Sequence, residues 1–208
     1  LTFLTHSCFR SFTFESDRTS LTMFAFGKEV VRPASGGRDT PKVSYGLRFP
    51  EACANHCQGR VYIMCSKSLS KQTDALQRLC DALGDRVAGV RIGISSHTPI
   101  AEVVETVADC RTRDVDCIIT LGAGSLTDAA KLVRLALANS ATTEEDMNTL
   151  WGTATSNPAL RKHIIPPTIQ LTHIPTSLSG GEYQAIAGGT ESSGHAKRTF
   201  HCEGVDPE

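Results

Sequence analysis

This chain has no marked excess of charge: 21 Lys and Arg face 22 Asp and Glu, leaving a net charge of -1 over 208 residues. Without a basic stripe to follow a phosphate backbone, nucleic acid is not an expected partner. No apolar run reaches the roughly 18 residues that a spanning helix needs, so no membrane partner is expected either. Aromatic residues are sparse, at 6% with a single Trp. Eight cysteines are present, yet none forms the CxxC pair of a zinc knuckle or redox dithiol. Cys65 and Cys117 sit inside apolar runs, where a thiol behaves as a small hydrophobe. Cys53 and Cys57 flank His56 but have no fourth ligand in view. A reduced, intracellular protein is the expectation. The GxGxxG fingerprint of the standard dinucleotide fold is also missing, and no nucleophile–base pair stands out.

Residues 1–26 are rich in Phe, Thr and Ser, with Arg10 and Arg18, but lack the continuous apolar stretch of a secretory signal. The reading is a poorly ordered leader over residues 1–40, with an organelle transit peptide as the alternative. Cytoplasmic location is expected, mitochondrial being the alternative. The chain begins with Leu1 rather than Met, so a fragment or shortened gene product is expected.

From Val61 onward the pattern becomes regular. Val61–Cys65 is a short, continuously apolar run and predicts a buried strand. Residues 68–84 follow as one helix, with Leu69, Leu76, Leu79, Cys80 and Leu83 at helical spacing and Gly84 as its stop. Residues 86–94 predict a second strand. A helix over 98–114 has Thr98 as its cap and Pro99 in its first turn, with Ile100, Val103, Val104 and Val107 inward. Residues 115–124 form a third strand ending in glycines, and 125–140 a third helix with Leu126, Ala129, Ala130, Val133 and Leu137 inward. A helix is expected near 143–150, a fourth strand over 168–176, and a hairpin or loop over 188–208. Strands alternating with helices, and apolar throughout, mean an α/β fold: a Rossmann-like parallel sheet flanked by helices, with right-handed crossovers.

Two loops carry chemistry. Gly122-Ala123-Gly124-Ser125 joins the third strand to the third helix. Glycines let backbone approach a ligand, and a helix N-terminus offers N–H groups and partial positive charge to a pyrophosphate. Ser125 and Asp128 have capping-box spacing. The alternative is an ordinary strand–turn–helix junction. Thr176-Ser177-Leu178-Ser179-Gly180-Gly181 follows the fourth strand, placing three hydroxyls at the sheet edge where open α/β folds bind ligands. The alternative there is an exposed turn.

These two loops, at this spacing and followed by Lys197-Arg198-Thr199-Phe200, resemble the iron-containing alcohol dehydrogenase superfamily. The Ser-Leu-Ser-Gly-Gly-Glu variant at 177–182 resembles its maleylacetate reductase-like branch, fungal members in particular. The resemblance runs from about Pro41 to Glu208. It implies an N-terminal NAD(P)-binding domain over 41–208 and a helical C-terminal domain supplying Asp and His ligands to iron or zinc, with hydride passing between nicotinamide and an alcohol or carbonyl carbon in the cleft. In maleylacetate reductases the substrate is an enone diacid and the metal is dispensed with. Carried over residue by residue, Gly122, Ala123, Gly124 and Ser125 match the pyrophosphate loop, with Ala123 in place of its middle glycine. Asp128 matches an aspartate near the nicotinamide end. Thr176, Ser177, Leu178 and Ser179 match the loop against adenine and phosphates, and Lys197 matches a lysine near the ribose.

Ser66 falls where many NAD-preferring members carry Asp. Its lack of charge, together with Lys67, predicts that NADP is accepted at least as well as NAD. The family's metal ligands and catalytic residues lie beyond this chain, and His163, His173, His195 and His201 do not substitute for them. The resemblance therefore implies a truncated oxidoreductase, weakly active or inactive by itself. Its substrate would be a small alcohol, aldehyde, ketone or enone acid, and a homo-oligomer is compatible with it. The alternative is a non-catalytic nucleotide-binding or interaction module.

Overall fold

The computed structural model describes residues 2–3, 27–156, 163–193 and 196–201. Nine strands occur among them: β1 (Thr2–Phe3), β2 (Val30–Pro33), β3 (Lys42–Tyr45), β4 (Val61–Cys65), β5 (Val87–Ile92), β6 (Cys117–Gly122), β7 (Gln170–Pro175), β8 (Ile186–Thr190) and β9 (Lys197–His201). The helices are α1 (Phe49–His56), α2 (Lys67–Gln72), α3 (Ala75–Leu83), α4 (Ile100–Thr112), α5 (Gly124–Ala138) and α6 (Glu144–Ser156). Seven strands form one sheet in the order β2-β3-β1-β7-β6-β4-β5. All neighbours are parallel except the antiparallel β2–β3 pair. β8 and β9 make a separate antiparallel hairpin.

The central strands have to be apolar on both faces, because helices cover both. Every residue of β4 and β6 is buried. Along β4, Tyr62 and Met64 face a layer made by Ile100, Val103 and Val107 of α4, Leu126, Ala129 and Val133 of α5, and Met147 of α6. Val61, Ile63 and Cys65 face the opposite layer, with Ala52 and Cys53 of α1 and Leu79 and Leu83 of α3. Burying one such aliphatic side chain is worth about 1.5–3 kcal/mol, so substituting a charge in β4 or β6 would be severe from either side. β5, at the sheet edge, keeps Val90 and Ile92 partly exposed. The expected parallel α/β sheet is therefore present.

Several local expectations are corrected. The single helix over 68–84 is two helices, since α2 ends at Thr73, whose Oγ1 donates to the Leu69 carbonyl and accepts the Ala75 N–H. That side chain closes one helix and opens the next, which apolar spacing does not reveal. Thr98 does not cap α4: Pro99 holds the cap position without a side-chain bond, and Thr98 is left-handed at φ 55°. Ser125 does not cap α5 either. The helix starts at Gly124 with Ala123 at its cap, so the Ser125–Asp128 capping box does not form. The leader expected over 1–40 falls largely outside the described residues; within its described residues, 2–3 and 27–40, Thr2–Phe3 and Val30–Pro33 join the sheet.

Candidate functional site

The C-terminal ends of β5, β4, β6 and β7 line up along one edge. The Gly93 N–H donates to the Cys65 carbonyl at 2.7 Å, the Ser66 N–H to Leu121 at 2.9 Å, and the Thr176 N–H to Gly122 at 3.0 Å. Ser66, Gly122 and Thr176 are thereby set side by side: Ser66 and Thr176 are the first residues after β4 and β7, and Gly122 is the last of β6.

Gly122 sits where a side chain would have to displace its neighbours. A Cβ there would lie 2.4 Å from Leu126 Cδ1 and 3.1 Å from Ser66 Cβ. Ala123 follows with φ -102° and ψ -176°, an extended conformation open to any residue, so alanine replaces glycine there without backbone strain. α5 then begins at Gly124. The Leu126 and Thr127 N–H groups donate to the Ala123 carbonyl at 3.0 and 3.4 Å, and the N–H groups of Gly124 and Ser125 lie ahead of them at the helix terminus, where backbone donors favour an anion.

The second loop folds back onto the first. A Cβ on Gly124 would lie 3.2 Å from Ser179 Oγ, and Ser177 Oγ donates to Ser179 Oγ at 3.4 Å. Gly180 is left-handed at φ 68°, which glycine adopts at no steric cost. Leu178 is 98% exposed at the loop tip. Ser66 caps α2, its Oγ accepting the Leu69 N–H at 3.3 Å.

Asp128 and Lys197 meet over Gly188. A Cβ on that glycine would be 3.3 Å from Asp128 Oδ2 and 3.1 Å from Lys197 Cε. Burial pushes the Asp128 carboxyl above its usual range, against the Gly188 N–H and the charges of Lys131 and Lys197, which pull it down. Nine of the eleven residues singled out from sequence, Ser66, Gly122–Ser125 and Thr176–Ser179, thus lie at the C-terminal ends of β4, β6 and β7, while Asp128 and Lys197 meet at Gly188 of the β8–β9 hairpin. Asp128 is engaged with the β8–β9 hairpin.

Two contributors were not expected at the site: Thr98, read from sequence as a helix cap, and Lys131. Thr98 Oγ1 donates to the Ser125 carbonyl at 3.1 Å, and the Thr190 N–H donates to the Thr98 carbonyl at 2.9 Å. The left-handed pair His97 and Thr98 (φ 67° and 55°) so ties β8 to the first turn of α5. Lys131, one turn after Asp128, donates to backbone carbonyls of the segment after Gly180.

His173 is fully buried in β7, its Nδ1 2.6 Å from Thr120 Oγ1, and burial drives its pKa well below the usual value, keeping it neutral. His163 is exposed, and His195 lies outside the described residues. Among the described residues, no group of three or more His, Cys, Asp and Glu is placed to hold a metal. Nor is any helix among them long and apolar enough to cross a membrane.

A family model described as iron-containing alcohol dehydrogenase matches residues 46–208. Dehydrogenase FUM7 of Gibberella moniliformis is 39% identical over 175 residues, which are 79% of this chain and 41% of that protein. Dehydrogenase ALT3 of Alternaria alternata is 38% identical over 68% of this chain and 36% of its own length. Maleylacetate reductase 2 of Cupriavidus pinatubonensis is 28% identical over 64% of this chain and 40% of its own. The chain thus spans about two-fifths of the length of these relatives. Among solved structures, sulfoacetaldehyde reductase from Bifidobacterium kashiwanohense in complex with NAD+ superposes with TM-score 0.62 at 17% identity, over 76% of this chain and 39% of that one. An iron-containing alcohol dehydrogenase from Thermococcus thioreducens gives the same TM-score at 19% identity, over 77% of this chain and 41% of its own. These structural likenesses establish the fold.

Proposed function

The chain belongs to the iron-containing alcohol dehydrogenase family, and we propose on that premise that residues 41–208 are the NAD(P)-binding part of an oxidoreductase. The observation that carries this reading is the meeting of two loops at one sheet edge, where a Cβ on Gly124 would come within 3.2 Å of Ser179 Oγ. Backbone at Gly122–Ser125 and the α5 N-terminus would hold the pyrophosphate. Thr176, Ser177 and Ser179 would offer hydroxyls to phosphate and ribose, and Leu178 an apolar surface to adenine. Lys197 would reach the ribose near Asp128, and Ser66 would face the 2′ position. When bound, NAD(P)H supplies the hydride.

The substrate in this proposal is a small alcohol or carbonyl compound, the maleylacetate reductase relatives favouring an enone acid. The described residues offer no metal cluster, so iron or zinc does not fit this part of the site. An electrophile that stabilises the developing alkoxide would have to come from residues other than those described.

Titration of the purified chain with NADH and with NADPH tests the reading, following energy transfer from Trp151, the only tryptophan, to the nicotinamide. Saturable binding of either nucleotide, competed by ADP-ribose, is expected. A folded chain that shows no saturable binding at millimolar nucleotide would end the proposal.

A further inference from the structure

Lys131 carries a charge in the interior of the fold. Its side chain is fully buried, and its ammonium donates to three backbone carbonyls of one short segment: Gly181, Gln184 at 2.5 Å and Ile186 at 3.1 Å. An ammonium has three N–H donors in a tetrahedral arrangement. Three of its bonds go to main chain whose own regular bonding is slight. The backbone of that segment makes a single turn, Tyr183 to Gly180 at 3.1 Å and Gln184 to Gly181 at 3.3 Å, before β8 begins. Burying an ammonium is strongly unfavourable unless dipoles or an anion compensate. The carbonyls supply the dipoles, and Asp128, one turn earlier, supplies the nearby negative charge.

The same helix face makes two further contacts to this stretch. Asp128 accepts the Gly188 N–H, and a Cβ on Gly181 would touch the Thr127 methyl at 3.6 Å. The segment 181–188 is therefore held by the first turns of α5, the helix whose N-terminus faces the proposed nucleotide. The loop 176–181 is pinned at both ends, by Thr176 to Gly122 and by Lys131 to Gly181. Ser179, which stands against Gly124, lies between these two attachments.

We infer that Lys131 is a positioning residue for the dinucleotide loop: it touches no ligand, and it fixes Ser177–Gly181 against the α5 N-terminus by binding the carbonyls of the following segment. The ligand in this inference rests on the proposed function; the clamp itself does not. Arginine cannot replace it, because a planar guanidinium does not direct three donors at carbonyls gathered around one point.

The test compares the wild-type chain with Lys131→Met and Lys131→Arg by NADPH titration and by amide hydrogen exchange. Both variants are expected to lose NADPH affinity by about tenfold or more, the size expected when a charge-assisted hydrogen bond is removed. Amides of 181–188 should exchange at least about tenfold faster, while protection in β4, β6 and β7 stays unchanged. Wild-type affinity in Lys131→Met would overturn the inference, as would uniform loss of protection across the sheet. If wild type itself binds no nucleotide, the proposed function fails, and exchange in 181–188 alone decides the clamp: faster supports it and unchanged overturns it. Where Lys131→Met does not fold, Lys131→Gln, which keeps an N–H donor, is judged by the same two measurements.

Discussion

Gly124 and Ser179 face each other across the two loops so closely that a side chain on the first would press on the second: a Cβ at Gly124 would stand 3.2 Å from Ser179 Oγ and 3.5 Å from its Cβ. The two residues are 55 positions apart in sequence and come from different strand ends. The space between them is set by the α5 N-terminus on one side and by the hydroxyl loop on the other.

Filling that space should separate nucleotide binding from folding. Gly124→Ala needs Ser179 to give way by a few tenths of an ångström, and it gains helix propensity, so its stability should stay near wild type. Gly124→Val cannot be absorbed that way and is expected to push Ser179 off the loop. NADPH affinity should fall by at least about tenfold, or about 1.4 kcal/mol, with the melting temperature little changed. Isothermal titration beside thermal unfolding checks this; equal affinity in Gly124→Val would remove Ser179 from the site.

Gly122 is expected to behave in the opposite sense, as a stability position. A Cβ there meets Leu126 Cδ1 at 2.4 Å and Ser66 Cβ at 3.1 Å, and Leu126 is itself buried. Overpacking of this kind costs about 1–3 kcal/mol. For a chain of this size Gly122→Ala should then lower the melting temperature by about 3–10 °C. Leu126→Ala is destabilising by itself but removes the clashing methyl, so the double variant should lose less than the sum of the two single losses. Simple additivity in a double-mutant cycle would show that the clash is relieved elsewhere.

The strands and both loops were legible because their signals are local. β4 and β6 announce themselves as apolar on both faces, and the glycines and hydroxyls of 122–125 and 176–181 sit where such strands end. The corrections share a different origin. Thr73 splits a helix through two bonds of its own hydroxyl, while Leu69 through Leu83 keep a spacing that suits one continuous helix. Ser125 reads as a cap, yet Ala123 takes that place because the chain turns into the helix one residue earlier. Thr98 lends its hydroxyl to Ser125 instead of to α4. Lys131 left no trace at all, since its partners are main-chain carbonyls 50 or more residues away, and a carbonyl belongs to every residue type.

Acid should loosen the attachment of the β2 region to α1. Burial pushes the Glu29 carboxyl up, but hydrogen bonds from Ser44 at 2.5 Å and His56 at 2.6 Å outweigh it and hold its pKa below the ordinary value. A carboxyl depressed in the folded state contributes stability that is present above its unfolded pKa and lost as pH falls through the folded one. Wild type should therefore lose stability below about pH 4.3, the ordinary range of a glutamate. Glu29→Gln should be less stable at neutral pH and show a shallower acid slope, the two curves converging at low pH. Urea unfolding from pH 7 to pH 3 measures this; parallel curves would mean that Glu29 carries none of the acid sensitivity.

Cofactor choice should turn on Ser66. It is the first residue after β4, its N–H bound to Leu121 at 2.9 Å and its Oγ capping α2. Lys67 Cβ would be 3.5 Å from a Cβ on Gly93 at the end of β5, so a cation begins beside the same strand ends. Aspartate caps a helix as well as serine does, so Ser66→Asp should keep the fold and change only the charge met by a ribose 2′ substituent. A carboxylate about 4–6 Å from a 2′-phosphate is repelled by about 1 kcal/mol at water-like screening and by a few at the screening of a protein surface. It can also accept a hydrogen bond from a free 2′-hydroxyl. Wild type is therefore expected to bind NADPH at least as well as NADH. Ser66→Asp should lose NADPH affinity by about tenfold or more while holding or improving NADH. Parallel titrations at fixed ionic strength read the ratio directly. Equal losses for both nucleotides, or a wild type that strongly prefers NADH, would move the 2′ subsite away from Ser66.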